Sequence, residues 1–134
     1  MGRLKFSEAE TRFLKRNEMC RIATSSKNIP HVVPVSYIFE EGTFIFATDY
    51  GTKKLENIKE NKRVALTVDV YGSAGNKAVC VQGIAEVIDD GGEFERLYRM
   101  FYRKFEWVRS DPWQPGDAPF VRVTPLRKVS WGIK

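Results

Sequence analysis

Short apolar runs joined by tight turns constrain the fold of this chain more than any other feature. Turns such as Ser26-Lys27-Asn28 and Glu40-Glu41-Gly42-Thr43 are typical of hairpins between neighbouring strands. The pattern predicts strands over residues 19–25, 29–39, 44–48, 64–71, 78–88, 120–124 and 128–132. Helical spacing of apolar residues predicts helices over 8–16, 53–60 and 93–105, and prolines predict a loop over 107–118.

About seven strands and three helices are therefore predicted, in one domain that spans residues 1–134. Two short helices cannot supply the crossovers of a parallel sheet. The order therefore favours a mainly β fold, an antiparallel barrel with peripheral helices. Pro34 lies in the middle of the second strand, and because it has no amide hydrogen it belongs at an edge or a bulge. Cys20 and Cys80 lack the spacing of a metal site and are predicted to be free thiols.

The charge balance limits the classes of partner. The net charge of +5 favours anionic partners, among them nucleic acid, acidic membranes and phosphorylated cofactors. Acidic residues lie close to most basic ones, whereas a nucleic-acid footprint concentrates charge on one face or tail. No signal-peptide core and no membrane-length apolar stretch is present. We therefore expect a cytoplasmic protein that binds neither nucleic acid nor membrane.

The strongest candidate for a binding site is an anion site between a strand end and a helix start. Thr48, Thr52, Lys53 and Lys54 fall within seven residues there. Helix N-terminal amides, hydroxyl groups and ammonium groups all attract phosphate. From spacing alone, a solvated helix start with surface lysines explains the same residues equally well.

Two further features could line a ligand. His31 is the only histidine, and backbone groups of its strand, exposed where Pro34 interrupts pairing, could bind the edge of a heterocyclic ring. Trp131 is either a core or interface anchor or a residue that stacks on a planar cofactor. No nucleophile arrangement surrounds His31, and one histidine with two distant cysteines cannot complete a metal site. We therefore predict no catalytic side chain and no metal.

Taken in order, these motifs resemble the pyridoxamine 5′-phosphate oxidase-like family of FMN-binding split barrels. The resemblance covers about residues 7 to 133 and rests on short segments, namely 23–24, 31–35, 42–48, 51–54, 57, 63–66, 81–83, 121–125 and 129–132. It implies an antiparallel split β-barrel that forms a homodimer, with FMN bound in the grooves between the subunits.

The resemblance also implies which residues contact the cofactor. They are the strand along the isoalloxazine ring (His31, Val32, Val33 and Pro34), the strand end near the ribityl chain (Ala47 and Thr48), the phosphate-binding triplet (Thr52, Lys53 and Lys54), and two residues of the other subunit (Gln82 and Trp131).

The function implied by the resemblance is a flavin-dependent oxidoreductase that transfers a hydride or electrons at the flavin ring to a small-molecule substrate. His31 stands where the oxidase itself has an arginine, and Ala78 where it has a glutamine, so we do not expect pyridoxamine phosphate oxidation. One alternative is a deazaflavin-dependent reductase that uses an 8-hydroxy-5-deazaflavin cofactor. Another is a non-enzymatic protein that binds flavin or haem, with His31 as the haem ligand.

Overall fold

Six antiparallel strands close into a barrel in the order β1-β2-β3-β6-β5-β4. The computed structural model describes residues 4–134. The strands are β1 (Met19–Ser26), β2 (Ile29–Glu40), β3 (Thr43–Ala47), β4 (Arg63–Gly72), β5 (Gly75–Ile88) and β6 (Phe120–Trp131). The helices are α1 (Glu8–Arg16), α2 (Lys53–Glu60), α3 (Gly91–Lys104) and α4 (Glu106–Ser110). The predicted class, a mainly antiparallel barrel with peripheral helices, is confirmed.

The prediction of two separate strands at the C-terminus is wrong, because β6 is one continuous strand. Gly83 of β5 pairs with Pro125, and Gln82 pairs with Arg127, so the register skips Leu126 and the strand passes the proline through a bulge. The described chain therefore has six strands rather than seven.

The prediction that residues 107–118 form only a loop is also wrong. Helix α4 occupies the first part of this segment and ends before Pro112, as expected for residues that precede a proline. Its Val108 is completely buried beside Phe101 and Phe105 of the α3 region. Burial of this apolar side chain stabilises a short helix that ends before the first of the prolines.

The shortness of β3 leaves two strands partly without neighbours. Strand β3 pairs with β2 only through residues 37–40 and with β6 only through residues 120–123. Among residues 4–134, the half of β2 over 29–36 therefore pairs only with β1, and the half of β6 over 125–131 pairs only with β5. Pro34 lies on this open edge of β2, which confirms its predicted position.

Helix α1 packs beside the C-terminal half of β6. Ser7 and Glu10 form the predicted capping box, with distances of 3.0 Å from the Glu10 amide to Ser7 Oγ and 2.8 Å from the Ser7 amide to Glu10 Oε1. The Glu10 carboxylate also accepts hydrogen bonds from Lys128 and Ser130. Burial alone would raise the pKa of Glu10, but these hydrogen bonds outweigh it and lower the pKa to about 2.

Two apolar clusters hold the helices to the barrel. The first cluster joins buried side chains of the strands to Leu55 and Ile58 of α2 and to Phe13 and Leu14 of α1. The second cluster lies between α3 and the outside of the barrel and is built mainly from Phe94, Leu97, Phe101, Phe105 and Phe120.

Polar contacts fix α2 across the end of β1. Asn57 Nδ2 donates to Thr24 Oγ1 at 3.0 Å, and Ser26 Oγ donates to Glu60 Oε2 at 2.6 Å. These contacts, together with the buried side chains of α2, determine where the first turn of that helix points.

We expect Gly83→Ala to destabilise the barrel. An added Cβ would lie 2.4 Å from the Thr124 carbonyl oxygen and 3.1 Å from Pro125 Cα, so the two strands would have to separate. Overpacking of this kind lowers the free energy of unfolding by about 1–3 kcal/mol, measured by urea denaturation. Gly92→Ala is the control, because its Cβ would meet nothing within 4 Å and alanine favours a helix. Equal stability of the two variants would contradict the account.

We expect Glu10→Gln to weaken the protein at neutral pH but much less in acid. The pKa of Glu10 is about 2 in the folded protein, below the ordinary glutamate value of 4.5, so the carboxylate stabilises the fold above about pH 4.5 and this contribution is lost as the pH falls towards 2. The free energy of unfolding of the wild type should therefore fall more steeply with acidification than that of Glu10→Gln. Glu8→Gln, an exposed change in the same helix, should follow the wild type. Parallel curves for the wild type and Glu10→Gln would be incompatible with this role.

Candidate functional site

The start of α2 brings two hydroxyl groups and two lysines together. Thr48 Oγ1 lies 3.0 Å from Thr52 Oγ1, and the Thr52 hydroxyl donates to the Asp49 carbonyl oxygen at 2.9 Å. The Thr48 amide donates to the Pro119 carbonyl oxygen at 3.1 Å, which fixes the end of β3 beside β6. Lys53 and Lys54 follow directly as the first residues of α2. We call Thr48, Thr52, Lys53 and Lys54 the cradle.

The first turn of α2 has no side-chain cap. Thr52 is the N-cap residue, but its hydroxyl makes no capping hydrogen bond and is turned to Asp49 instead. Amide groups of an uncapped first turn carry partial positive charge and are suited to an anion. The residues of the cradle therefore fit a phosphate group.

The two lysines of the cradle differ in their surroundings. Lys53 is exposed, whereas Lys54 is half-buried. Burial lowers the pKa of Lys54, and the nearby Asp49 carboxylate partly opposes this effect. An anion bound beside Lys54 would offset the loss of hydration of its ammonium group.

Strand β2 presents alternate residues to opposite faces. Val32, 62% exposed, and Pro34 point outwards, whereas Val33 packs against the barrel core. His31 is half-buried and pairs in register with Thr24. His31 Nδ1 and Asn57 Oδ1 are both buried, and neither has a hydrogen-bond partner in the described part of the chain.

Val32 and Gln82 line one depression on the outer face of the barrel, with a volume of about 510 Å³. Small side chains of two neighbouring strands, Ala23 and Ala65, also line it. Arg127 lines it as well and makes no ion pair within residues 4–134. A second depression shares Ala23, Ala65, Gln82 and Arg127 with the first. We call the two together the outer groove.

Trp131 lies apart from the cradle, at the far end of β6. Its indole Nε1 donates to Tyr71 Oη at 3.0 Å, and both rings are largely exposed. Further apolar side chains are exposed on the same two strands, β4 and β6, namely Val70, Leu126 and Val129. An exposed apolar surface of this kind is typical of a protein interface.

The structure therefore places the predicted cofactor contacts in separate groups. Ala47 ends β3, and Thr48 follows it and lies beside Thr52 at the start of α2, where Lys53 and Lys54 come next. Val32 and Gln82 share the outer groove instead. His31, Val33 and Pro34 lie along β2, and Trp131 lies at the end of β6. One chain does not gather all of these residues around a common space.

Two tryptophans near the cradle have no place among the residues predicted from the sequence. Trp107 and Trp113 stack with their planes within 5° and their ring centroids 6.0 Å apart. With Ala47, Thr48 and Lys54 they line a pocket of about 400 Å³, which we call the α4 pocket. The sequence held one signal for this pocket, namely two large aromatic residues in a polar segment that contains prolines. Such residues in a loop usually contact another part of the protein or a ligand.

Comparison with known proteins identifies the family. The family model described as pyridoxamine 5′-phosphate oxidase matches residues 6–131. The chain belongs to this family. The predicted membership and the split-barrel fold are thereby confirmed.

Solved structures of the family share this fold over nearly the whole chain. A FAD-binding protein from Mesorhizobium loti is 26% identical, with a TM-score of 0.73 over 93% of this chain and 94% of that one. The haem storage protein HutZ from Vibrio cholerae has a TM-score of 0.80 at 14% identity, over 97% of each chain. A FAD-binding protein from Mycobacterium smegmatis has a TM-score of 0.68 at 23% identity, over 93% of each chain. At these lower identities the likeness concerns the fold alone.

No helix within residues 4–134 is long and apolar enough to cross a membrane.

Proposed function

We propose that this protein is a homodimeric flavoprotein that binds FMN between its subunits and acts as an oxidoreductase on a small molecule. The observation that carries the proposal is the uncapped start of α2, where two hydroxyls and two lysines converge in a chain of this family. The FAD-binding relative from Mesorhizobium loti, with a quarter of its residues identical, supports a flavin as the cofactor.

The cradle would hold the phosphate of the flavin. The hydroxyls of Thr48 and Thr52 would turn from their contacts with each other and with the Asp49 carbonyl oxygen and donate hydrogen bonds to the phosphate, together with the free amides of the first turn of α2. Lys53 and Lys54 would supply positive charge, and each charge-assisted hydrogen bond contributes about 1.5–3 kcal/mol. Phosphate binding by these groups would anchor one end of the cofactor and leave its ring to be oriented elsewhere.

The open edge of β2 would orient the ring. Residues 29–36 have no second neighbouring strand among residues 4–134, so amide and carbonyl groups between His31 and Pro34 are available to a ligand. His31 Nδ1, which is buried and without a partner in the same range, is a further group that a cofactor could satisfy. The flavin, when bound, supplies the hydride or electron transfer, and the side chains bind it, orient it and exclude water.

A homodimer would complete the site. The outer face of the barrel exposes Val32, Val129 and Trp131, which a second copy would cover. In the dimer Gln82 and Trp131 would approach the flavin held mainly by the other subunit. This arrangement accounts for the separation of these residues from the cradle within one chain.

The alternatives to FMN use the same fold. An 8-hydroxy-5-deazaflavin would use the cradle in the same way, and titration of the protein with both cofactors separates the two. Haem would depend on His31, but a ligating histidine normally has its other ring nitrogen hydrogen-bonded, and His31 Nδ1 has no such partner within the described residues. A Soret band on reconstitution that is lost in His31→Ala would favour haem over flavin.

Replacing both cradle lysines should remove most of the affinity for FMN. We expect Lys53→Ala/Lys54→Ala to raise the Kd by about a hundredfold, because two charge-assisted contacts to the phosphate are lost. Quenching of flavin fluorescence on titration gives the Kd. Lys59→Ala/Lys62→Ala removes the same charge near the other end of α2 and should change the Kd by less than about threefold. Equal effects of the two double variants, or a wild type that binds no flavin, would contradict the proposal.

Introducing a charge into the outer groove should prevent dimerisation. Val129 is 58% exposed and lines the groove, so Val129→Glu would bury a carboxylate in the proposed interface. We expect light scattering to give a dimer for the wild type and a monomer for this variant, with loss of FMN affinity. Tyr102→Glu, on the exposed side of α3, should remain a dimer. A monomeric wild type, or a Val129→Glu dimer, would refute the arrangement.

A further inference from the structure

The second depression of the outer groove is lined by two arginines, Arg63 and Arg127. We call it the arginine pocket. Small residues also line it, among them Ala23, Ala65 and Gly83, so they leave open space between the longer side chains. Its volume of about 410 Å³ lies within the range of small-molecule sites.

The strand register brings the two arginines to the same face of the sheet. Gln82 of β5 pairs with Ala65 of β4 on one side and with Arg127 of β6 on the other. Arg63 lies two residues before Ala65, so its side chain points to the same face of β4. Strands β4 and β6 are about 10 Å apart across β5, a distance that two arginine side chains together can bridge. Both guanidinium groups can therefore contact one ligand that lies over Gln82.

The outer groove carries an excess of positive charge. Its lining holds four basic residues and, within residues 4–134, no Asp or Glu. Carboxylates from outside the groove pair with two of the four, Arg21 and Lys128. The guanidinium groups of Arg63 and Arg127 make no ion pair and no hydrogen bond with any described residue. An anion in the arginine pocket would therefore meet two positive charges that nothing in this part of the chain neutralises.

Guanidinium groups select the chemistry of the anion. Each presents a planar fork of N–H donors that matches the oxygen atoms of a carboxylate or a phosphate. A concave surface with charge of one sign also raises the local concentration of ions of the opposite sign. The arginine pocket is therefore suited to a small molecule with an oxyanion group.

Gln82 connects the arginine pocket to the proposed flavin site. It lines both depressions of the outer groove, and in the proposed dimer it approaches the flavin held mainly by the other subunit. A molecule whose charged end contacts Arg63 and Arg127 would extend its uncharged part over Gln82 towards that flavin. The phosphate of the flavin itself is assigned to the cradle, so the two arginines are left for a second anion.

From this arrangement we infer that the substrate of the proposed oxidoreductase carries a carboxylate or phosphate group, which Arg63 and Arg127 bind while the rest of the molecule lies against the flavin ring. The inference rests on the proposed function, because it needs the flavin and the second subunit beside Gln82. In this role the two arginines determine specificity and position the substrate.

Calorimetric titration of the FMN-loaded protein with benzoate, phenyl phosphate and benzamide tests the inference. The three probes share one aromatic ring, but only the first two are anions. We expect at least one anion to bind about tenfold more tightly than benzamide, because hydrogen bonds between charged groups are roughly twice as strong as neutral ones. The tighter anion identifies the group as carboxylate or phosphate. Arg63→Ala/Arg127→Ala should abolish the preference for anions and leave the Kd for FMN and the dimer unchanged.

Arg99→Ala/Arg103→Ala is the matched control. It removes the same charge from exposed arginines of α3 that make no ion pair within residues 4–134 and do not line the outer groove. This variant should keep the preference for anions, and a urea denaturation curve verifies the folding of both double variants.

Several results would overturn the inference and leave the proposed function standing. The first is a flavin-loaded wild type that binds neither anion more tightly than benzamide, and the second is an equal loss in the two double variants. A raised Kd for FMN in Arg63→Ala/Arg127→Ala would assign the arginines to the flavin. A monomer of that variant in light scattering would assign them to a carboxylate of the second copy. If the wild type binds no flavin, the proposed function itself fails, and this inference fails with it.

Discussion

The close approach of β5 and β6 at Gly83 is the constraint on which the rest of the structure depends. A side chain there would meet the Thr124 carbonyl oxygen at 2.4 Å, so only glycine lets the ladder pass Pro125 through a bulge. Because β6 then continues to Trp131, Arg127 and Val129 line the outer groove and Lys128 and Ser130 hold Glu10. A strand that ended at the proline would leave α1 without its polar anchor and the groove without one wall.

Whereas the bulge at Gly83 lets strand pairing continue, the shortness of β3 removes strand pairing where a ligand is proposed to bind. The chain leaves the barrel after Ala47, turns through Thr48 and Thr52, and enters α2, whose position is fixed by Asn57 and Leu55. Because the chain leaves the barrel after Ala47, the edge of β2 stays open and α2 begins beside it without a side-chain cap. Rigid elements therefore hold both ends of the proposed cofactor groove, and in the proposed dimer a second copy would close it.

The sequence predicted those parts of the fold that depend on local chemistry. The capping box at Ser7 and Glu10 gave the start of α1, and the turn residues between β1, β2 and β3 gave the hairpins. Pro125 led to the wrong prediction of two C-terminal strands. Whether a proline ends a strand or lies in a bulge depends on the residue that faces it, which here is Gly83. Helix α4 was missed because its stability comes from burial of Val108 against another helix, which is a tertiary contact.

The candidate site was predictable only in part. Residue types and spacing, and then the family resemblance, indicated the cradle residues, and the structure brings the hydroxyl groups of Thr48 and Thr52 together. The α4 pocket depends on Trp107 lying beside Lys54, which is more than fifty residues away in the sequence. No local sequence pattern indicates that two such distant residues are neighbours in the fold. The roles of His31, Gln82 and Trp131 stay predictions.

Native mass spectrometry of the flavin-loaded protein tests the central claim, a homodimer that binds flavin between its subunits, most directly. The account predicts two chains with two flavins, and a monomer that carries a flavin would contradict it.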